Sequence, residues 1–511
     1  MRPRGRDAAD RRTRERWMGD VVIVGGGPTG LWLAAELRLA GAGVTVLERR
    51  TERDTHSKGF TVHPRTMELW ASRGVDKLFV PRGTQVPSSH FGLFDTRMDY
   101  GVLDTPFPYV LLLAQPTVEE LTEGYARDLG VTVRRGHAFT GLTQTADGVV
   151  VRAEAPDGPY SLETGFVVGC DGVGSAVRAA AGIGFPGTES TAYTWIADVT
   201  LDDPPPVAYF QATNEAGQVL VVPMGAGVHR VGGIDGDAGA DAALPGEKEI
   251  RARLVSVAGT DFGLRDVVWV SGTGTASHLA DRYRDGRVLL AGDAAHRLFP
   301  AGGMGLNVGL QDAGNLGWKL GATVRGWAPG GLLDTYHQER HPVGAATLRL
   351  TRGQTALMTT FTPESLALRA VLNDAVGQVP QFSHHLARQV SGIGVSYGRG
   401  PGDHPLVGTR APDLRLSDGT GLFGLLVPGG YVLLDFAGAA SAVAGRAAAP
   451  PGLTVRRDRP VESRADWRPV RAALIRPDGH VAWASETDGD ALRSEAATAL
   501  AAAAGGGPGL P

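Results

Sequence analysis

Thiol chemistry is almost missing from this chain: its 511 residues include one cysteine, Cys170. A single thiol excludes an intrachain disulfide, a CxxC redox pair and any multi-thiolate metal centre. No metal site is expected, and a reducing cytoplasm is the compartment this composition fits. Lysine is scarce as well, confined to Lys58, Lys77, Lys248 and Lys319. Arginine therefore carries most of the positive charge, and 50 Lys+Arg against 54 Asp+Glu leave a formal net charge of -4. Such a balance gives no reason to expect nucleic acid or a membrane surface as partner. Long apolar runs are absent too. The stretch 110–114 is short and bounded by polar residues and prolines, far below the roughly 20 residues that cross a bilayer.

What is present reads as a large globular protein. A hydrophobic fraction of 42% and a charged fraction of 20% over this length support two or three domains in one unit. The arginine-rich residues 1–17 are interrupted by Asp7, Asp10 and Glu15 and lack an apolar signal region, so a disordered extension is expected there. The runs 21–24 and 44–47 read as buried strands flanking a helix at 31–40, which is a βαβ unit. Helices are also expected at 66–73, 115–129, 306–320 and 334–341. Short strands at 131–133, 166–168 and 287–290 complete a doubly wound pattern. Short apolar runs separated by turn residues from Tyr193 to Trp269 predict a mainly β domain, and 81–108 alternates like sheet. After Pro401-Gly402 a separate small α/β domain is expected, with strands at 431–435 and 472–475. The last residues, being alanine, glycine and proline without amphipathic pattern, read as a frayed tail.

Three motifs carry the chemistry. The first is Gly25-Gly26-Gly27-Pro28-Thr29-Gly30, a GxGxxG run placed directly after a strand and before a helix. Gly25 permits the tight turn, Gly27 clears the backbone for a pyrophosphate, and Gly30 lets helix and strand pack closely. The helix amino terminus supplies unpaired N–H groups and positive potential. Glu48, at the end of the second strand, can accept hydrogen bonds from both ribose hydroxyls, which suits FAD or NAD better than NADP. The second is Gly169-Cys170-Asp171-Gly172-Val173-Gly174-Ser175-Ala176-Val177-Arg178, again after a strand. The third runs from Arg287 through Asp293, His296, Pro300, Gly302, Gly303, Met304, Gly305 and Leu306 to Asn307. There Asp293 can reach a ribitol hydroxyl, and the amides around Gly302, Gly303 and Gly305 can face a developing anion.

In this order and spacing, GxGxxG, GCDGxxSxVR and GDAAHxxxPxGGxGxN resemble the class A flavoprotein aromatic hydroxylases. The group most similar hydroxylates polyketides and antibiotics and includes angucycline hydroxylases and rifampicin monooxygenase. The resemblance implies an α/β fold: a Rossmann-like FAD-binding domain, an interleaved β-rich substrate domain and a C-terminal thioredoxin-like domain without redox cysteines. It divides the chain into an extension (1–17), a first FAD-binding part (18–190, with a β-rich excursion near 81–110), a substrate domain (191–275), a second FAD-binding part with a helical connector (276–400), the thioredoxin-like domain (401–496) and a flexible tail (497–511). Gly25, Gly27, Pro28, Thr29, Gly30 and Glu48 would bind the ADP half of FAD. Arg65 and Gln115 would touch the cofactor, Asp171 would serve the DG motif, and Asp293 would bind ribitol. Pro300 and the run Gly302 to Asn307 would lie beside the isoalloxazine, with Gly303, Met304 and Gly305 facing it. Lys58 stands where relatives commonly carry arginine, and it lacks arginine's planar fork.

The activity so implied uses NADPH or NADH as transient reductant and O₂ to hydroxylate an aromatic, polycyclic substrate through a C4a-hydroperoxyflavin. The resulting protein would be a cytoplasmic monomer or homodimer without nucleic-acid or membrane partner. Two alternatives stay open: Baeyer–Villiger oxygenation of a polyketide ketone, and a non-catalytic relative that binds FAD or substrate only. His296 reads as a structural hydrogen bonder rather than a catalyst. His90, His137, His229 and His278 show no partner in the sequence and read as surface or packing residues. The regions 193–269 and 91–109 are expected to line the substrate pocket with Phe, Tyr, Leu and Val.

Overall fold

The computed structural model describes residues 19–505 except 57, 58, 208, 226, 237, 238, 240–242, 428, 446–448 and 463. The expected extension 1–17, Lys58 and the last six residues lie outside the described residues.

Strand β1 (Gly19–Val24) leads into helix α1 (Pro28–Leu39) and strand β2 (Val44–Glu48). Val21 to Val24 are all at most 5% exposed, the mark of a strand covered on both faces of a parallel sheet. Helix α2 (Gln115–Asp128) and strand β3 (Thr132–Arg135) follow. Strand β4 (Gly158–Gly169) has twelve residues, much longer than the 166–168 expected. Its first half pairs antiparallel with Val149–Ala155, while its second half enters the parallel core beside β1. Strand β5 (Val288–Leu290) completes that core, giving the spatial order β5-β4-β1-β2-β3. Helix α3 (Met304–Val324) packs on α1 at close range. A Cβ on Gly317 would fall 2.3 Å from the Cβ of Glu36, and one on Gly321 would fall 2.3 Å from that of Ala40. Glycine spacing along α3 therefore sets how near the two helices come.

Between these parts lies a five-stranded antiparallel sheet, in the order Phe210–Asn214, Gly217–Gly225, Val228–Asp235, Tyr193–Leu201 and Leu264–Gly274. Ile250 and Leu254 of the helix Glu247–Ala258 plug its core against Trp195, Val199 and Val221. The alternation expected over 81–108 condenses into fragments of two or three residues such as Thr84–Val86 and Met98–Asp99. The helix expected at 334–341 runs instead as Thr335–Met358, with Pro342 accommodated inside it.

The carboxy-terminal part has a four-stranded sheet ordered Thr454–Arg456, Val432–Asp435, Ala472–Ile475 and Val481–Ser485, the first pair parallel and the others antiparallel. The frayed-tail reading of 497–511 is corrected here for residues 497–503. The helix Gly489–Ala503 buries Leu492, Ala496, Leu500 and Ala503 against Trp318 of α3 and Tyr431. Alanines at this spacing form an apolar stripe that ordinary hydrophobic patterning underestimates. Among the described residues no helix is long and apolar enough to cross a membrane.

Candidate functional site

The parallel strands end in register: Val24 lies beside both Gly169 and Leu47, and Gly169 beside Leu290. Each motif begins where one of these strands stops. The sheet thus lays the Asp293 turn, the Asp171 turn, the Gly25 turn and Glu48 side by side along its carboxyl edge, the place where open α/β sheets bind ligands. A cavity of about 510 Å³ runs along this edge, lined by Gly25, Gly27, Pro28, Thr29, Glu48, Gln115, Asp171, Asp293 and Leu306 among others.

The amino end of α1 is built for an anion. No side chain caps it, and Gly27 occupies the cap position with Pro28 behind it. A Cβ on Gly27 would meet nothing within 4 Å, so its missing side chain leaves open cavity in front of the N–H groups. Gly25, at φ 110, and Gly30 have a different reason to be glycine. A Cβ on the first would lie 2.2 Å from the Cys170 carbonyl oxygen, and on the second 2.1 Å from that of Gly25. Glu48 is aimed by two backbone donors, Gly26 N–H to Oε2 at 2.7 Å and Arg50 N–H to Oε1 at 2.9 Å. Its remaining lone pairs face the cavity.

Asp171 has a local task in the second turn. Its carboxylate accepts from Ser175 Oγ at 2.5 Å and from Val177 N–H at 3.1 Å. Arg178 then ties the second turn to the third, donating to the Val173 carbonyl at 2.8 Å and the Ala294 carbonyl at 2.9 Å. Asp293 projects into the cavity at the far end. It is exposed to the cleft, yet desolvation by the surrounding protein raises its pKa, against the lowering influence of His296 and Arg297.

The third turn is held from outside the motif. Gly302 and Gly303 are both left-handed, at φ 69 and 64, a shape that favours glycine. His63 Nε2 meets the Gly302 carbonyl at 2.7 Å, and burial keeps that histidine's pKa down at about 4, so it is neutral and donates this bond at neutral pH. Asn307 is fully committed: its Oδ1 accepts from His63 N–H and Thr66 Oγ1, both at 2.8 Å, and its Nδ2 donates to the Thr61 and Gly303 carbonyls, both at 2.9 Å. Asn307 therefore shapes the turn and has no hydrogen-bonding group left for a cofactor. Gly30, Pro300, Gly302, Gly303, Met304, Gly305 and Asn307 are not among the residues lining the cavity. Leu306, from the first turn of α3, is the member of the run that reaches it.

Arg65 is corrected more sharply. Its guanidinium binds Glu68 at 2.9 Å and the Asp478 carbonyl at 2.6 Å, in the carboxy-terminal part and away from the cavity. An arginine at the start of a helix gives no sign in the sequence of which side it faces. Gln115 stays at the cavity, donating to Glu119 Oε1 at 2.9 Å.

His296 is structural, as expected. Its Nε2 lies 2.8 Å from Asp312 Oδ2, while Arg340 Nε donates to Asp312 Oδ1 at 2.7 Å and Gly292 N–H to Oδ2 at 3.1 Å. Burial pushes the Asp312 pKa up, but Arg340 and His296 outweigh it and leave the group below its usual value. Asp312 and Arg340 escaped the sequence reading, although a carboxylate in an otherwise apolar helical run signals a buried partner. Also missed were Arg49, Arg50, Glu119 and His137, all lining the cavity. His137 is partnered after all: its Nδ1 lies 2.7 Å from the Tyr160 hydroxyl.

The cradle fits a dinucleotide: an uncapped helix end left open at Gly27, an oriented acid for ribose, and a second acid at the opposite end of a long cleft. Comparisons agree. Residues 18–351 match the FAD binding domain family, and residues 404–506 match the family described as aromatic-ring hydroxylase, C-terminal. The chain is 42% identical over 508 residues to the 12-dehydrotetracycline 5-monooxygenase/anhydrotetracycline 6-monooxygenase of Streptomyces rimosus, covering 93% of this chain and 98% of that one. It is 42% identical over 494 residues to a rifampicin monooxygenase of Streptomyces venezuelae, covering 96% and 100%. The solved structure of CabE, an aromatic hydroxylase from angucycline biosynthesis, superposes with a TM-score of 0.84 at 39% identity, covering 97% of this chain and 100% of that one.

Proposed function

The chain belongs to the FAD-dependent aromatic-ring hydroxylases, and from that membership we propose that it uses NADPH or NADH and O₂ to hydroxylate a polycyclic aromatic compound of the polyketide or antibiotic kind. The observation that carries this reading is the one cavity that joins the Gly25–Gly27 and Asp171–Gly174 turns with Glu48, Asp293 and Leu306.

When bound, FAD accepts a hydride from the pyridine nucleotide and activates O₂; the protein's part is binding, orientation and exclusion of water. The amino end of α1 would hold the pyrophosphate through N–H groups that Gly27 leaves uncovered. Glu48 would accept from the ribose hydroxyls of the adenosine half, and Asp293 from the ribityl chain. The first turn of α3, whose N–H groups no side chain caps, would offer positive potential to charge developing on the ring system. The assignment of Gly25, Gly27, Gly30, Glu48, Gln115, Asp171 and Asp293 to FAD, and a thioredoxin-like reading of residues 401–496, form part of the proposal. The four-stranded sheet order and the lack of cysteine there support the latter. Cytoplasmic residence is proposed from the single cysteine, which excludes an intrachain disulfide.

The test uses the purified yellow protein. Addition of NADPH under air is expected to bleach the flavin, consume O₂ and release hydrogen peroxide when no substrate is present. Absence of bleaching with either nucleotide, with and without candidate aromatics, would overturn the reading. NMR of the product separates ring hydroxylation from lactone formation, since both add one oxygen.

A further inference from the structure

Around the segment His90–Arg97, reaching the Gly302 turn through Gln354, four buried polar atoms have no hydrogen-bond partner among the described residues: Arg97 Nη1, Tyr209 OH, Gln211 Oε1 and Gln354 Nε2. Each carries the desolvation cost of an unmade hydrogen bond. Such groups are rare singly, and a group of them calls for something to complete it.

They form one connected cluster. The Arg97 guanidinium lies over the Tyr209 ring, 4.6 Å from its centroid, and His90 stacks on that ring at 5.8 Å. Gln354 is fully buried; its Oε1 accepts the Gly92 N–H at 3.0 Å and lies 3.5 Å from where a Cβ on Gly302 would sit. Gln211 donates to the Leu93 carbonyl at 3.0 Å and to Asp95 at 3.1 Å, which leaves its own oxygen unused. The backbone between these groups is strained: Gly92 and Leu93 both have positive φ, 56 and 54, a region that leucine enters only at a cost. Arg369 pins that shape from below, donating to the Gly92 carbonyl at 2.6 Å and to the Leu93 carbonyl.

Arg97 uses Nε and Nη2 on Ser88, at 2.7 Å to the hydroxyl and 3.0 Å to the carbonyl. No carboxylate pairs with it among the described residues. Burial accordingly pulls its pKa below the ordinary value, with Tyr209 and Tyr100 acting in the other direction. Donors exceed acceptors in this set, so an apolar polycycle would leave the donors unpaired, whereas an edge rich in acceptor oxygen would satisfy them.

We propose that Arg97, Tyr209 and Gln354 form a donor edge that anchors an oxygen-bearing rim of the aromatic substrate, an ionisable hydroxyl beside a ring carbonyl, with Gln211 Oε1 accepting from the hydroxyl. The assignment rests on the aromatic-hydroxylase reading above and adds the residues that set specificity.

Tyr209→Phe is the cleanest test, because it deletes a hydroxyl that makes no internal bond. Arg97→Lys keeps the charge and removes the planar fork. Binding of 1,8-dihydroxyanthraquinone, and of its dimethyl ether, to the oxidised flavoprotein is read by the change in flavin fluorescence. Loss of one charge-assisted or buried hydrogen bond is expected to weaken the dihydroxy compound roughly 5- to 50-fold in each variant. The Tm and flavin content of Tyr209→Phe should equal or exceed those of the wild type. The dimethyl ether, which keeps the acceptor oxygens but not the donor that meets Gln211 Oε1, should bind the wild type more weakly than the dihydroxy compound and weaken further in both variants. Wild-type affinity for the dihydroxy compound in both variants, a lowered Tm in Tyr209→Phe, or no binding by the wild type would overturn the assignment. Bleaching by NADPH, measured on the same samples, shows separately whether the oxygenase reading stands.

Discussion

Substituting Gly27 by alanine separates fold from cofactor binding. The residue has φ -80 and ψ -178, an extended conformation open to alanine, and a Cβ there meets nothing within 4 Å. Alanine gains about 0.4–1 kcal/mol from a less free unfolded chain and loses up to about 1 kcal/mol as a poorer helix cap. The apo-protein should therefore melt within about 3 °C of the wild type. The added methyl instead occupies the space before the α1 N–H groups. If it displaces two charge-assisted hydrogen bonds to a pyrophosphate, each about 1.5–3 kcal/mol, affinity falls by roughly 100- to 10,000-fold at about 1.4 kcal/mol per decade. Gly25→Ala and Gly30→Ala are the contrast, since their Cβ atoms would lie 2.2 and 2.1 Å from backbone oxygens; both should fail to give stable apo-protein. Apo melting curves paired with FAD titration by fluorescence quenching check the argument. Normal FAD affinity in Gly27→Ala, or a collapse of its apo stability, would refute the placement of the pyrophosphate.

Further outcomes follow from the buried side chains. Asp312→Asn leaves Arg340, 1% exposed, without its anion; a loss of about 3–5 kcal/mol is expected in urea unfolding, together with weaker FAD binding, because Asp312 also holds the Gly292 N–H. Burial holds the His63 pKa at about 4, below 6.5, so the stability tied to its neutral form is fully present above pH about 6.5 and is lost as pH falls towards 4. At about 1.36 kcal/mol per unit that amounts to roughly 3 kcal/mol, and His63→Asn should flatten the curve in that window. Lys319, buried and 2.6 Å from Glu339, has its pKa lowered to about 8 by burial. Lys319→Met should be close to neutral at pH 7, since Glu339 keeps Arg476 at 2.7 Å, whereas Glu339→Gln strands the buried Lys319, Arg476 retaining Asp478 at 2.5 Å, and should cost about 3–5 kcal/mol.

The βαβ unit and the cavity edge were legible because their reasons are local. A strand, a glycine turn and a helix lie within Gly19–Leu39; Gly27 answers to open space and Gly30 to the Gly25 carbonyl, while Gly25 answers to the Cys170 carbonyl on the neighbouring strand. The turns at Asp171 and Asp293 were legible for the same reason, each following a strand directly. Arg65 was not, because its partner Asp478 lies 413 residues later. Asn307 was found by pattern, but the task of its side chain was not legible: its four hydrogen bonds go to protein groups that include Thr61, His63 and Thr66, which no local rule connects to it. The helix to Ala503 was missed because alanine carries little signal in a hydrophobic pattern, although four of its residues are buried.

The two ends of the cavity are thus built in different ways. The end with Gly25, Gly27 and Glu48 is made of backbone from one continuous segment, with Glu48 set by amides at 26 and 50. The end with Asp293 and Leu306 depends on side chains drawn from His63, Asp312 and Arg340, none of which lines the cavity. A substitution at the first end acts on the cofactor directly. One at the second acts through the shape of the Gly292 and Gly302–Gly303 turns, whose left-handed residues hold only while those distant bonds hold. Chemistry placed on the second end therefore rests on contacts up to 246 residues apart, as between Thr61 and Asn307. Gln354, one of the unpartnered groups assigned with Tyr209, lies against the same turn at Gly302. The residues that shape the ring end and those assigned to the substrate share a boundary at Gly302, so a change in one should be read in the other.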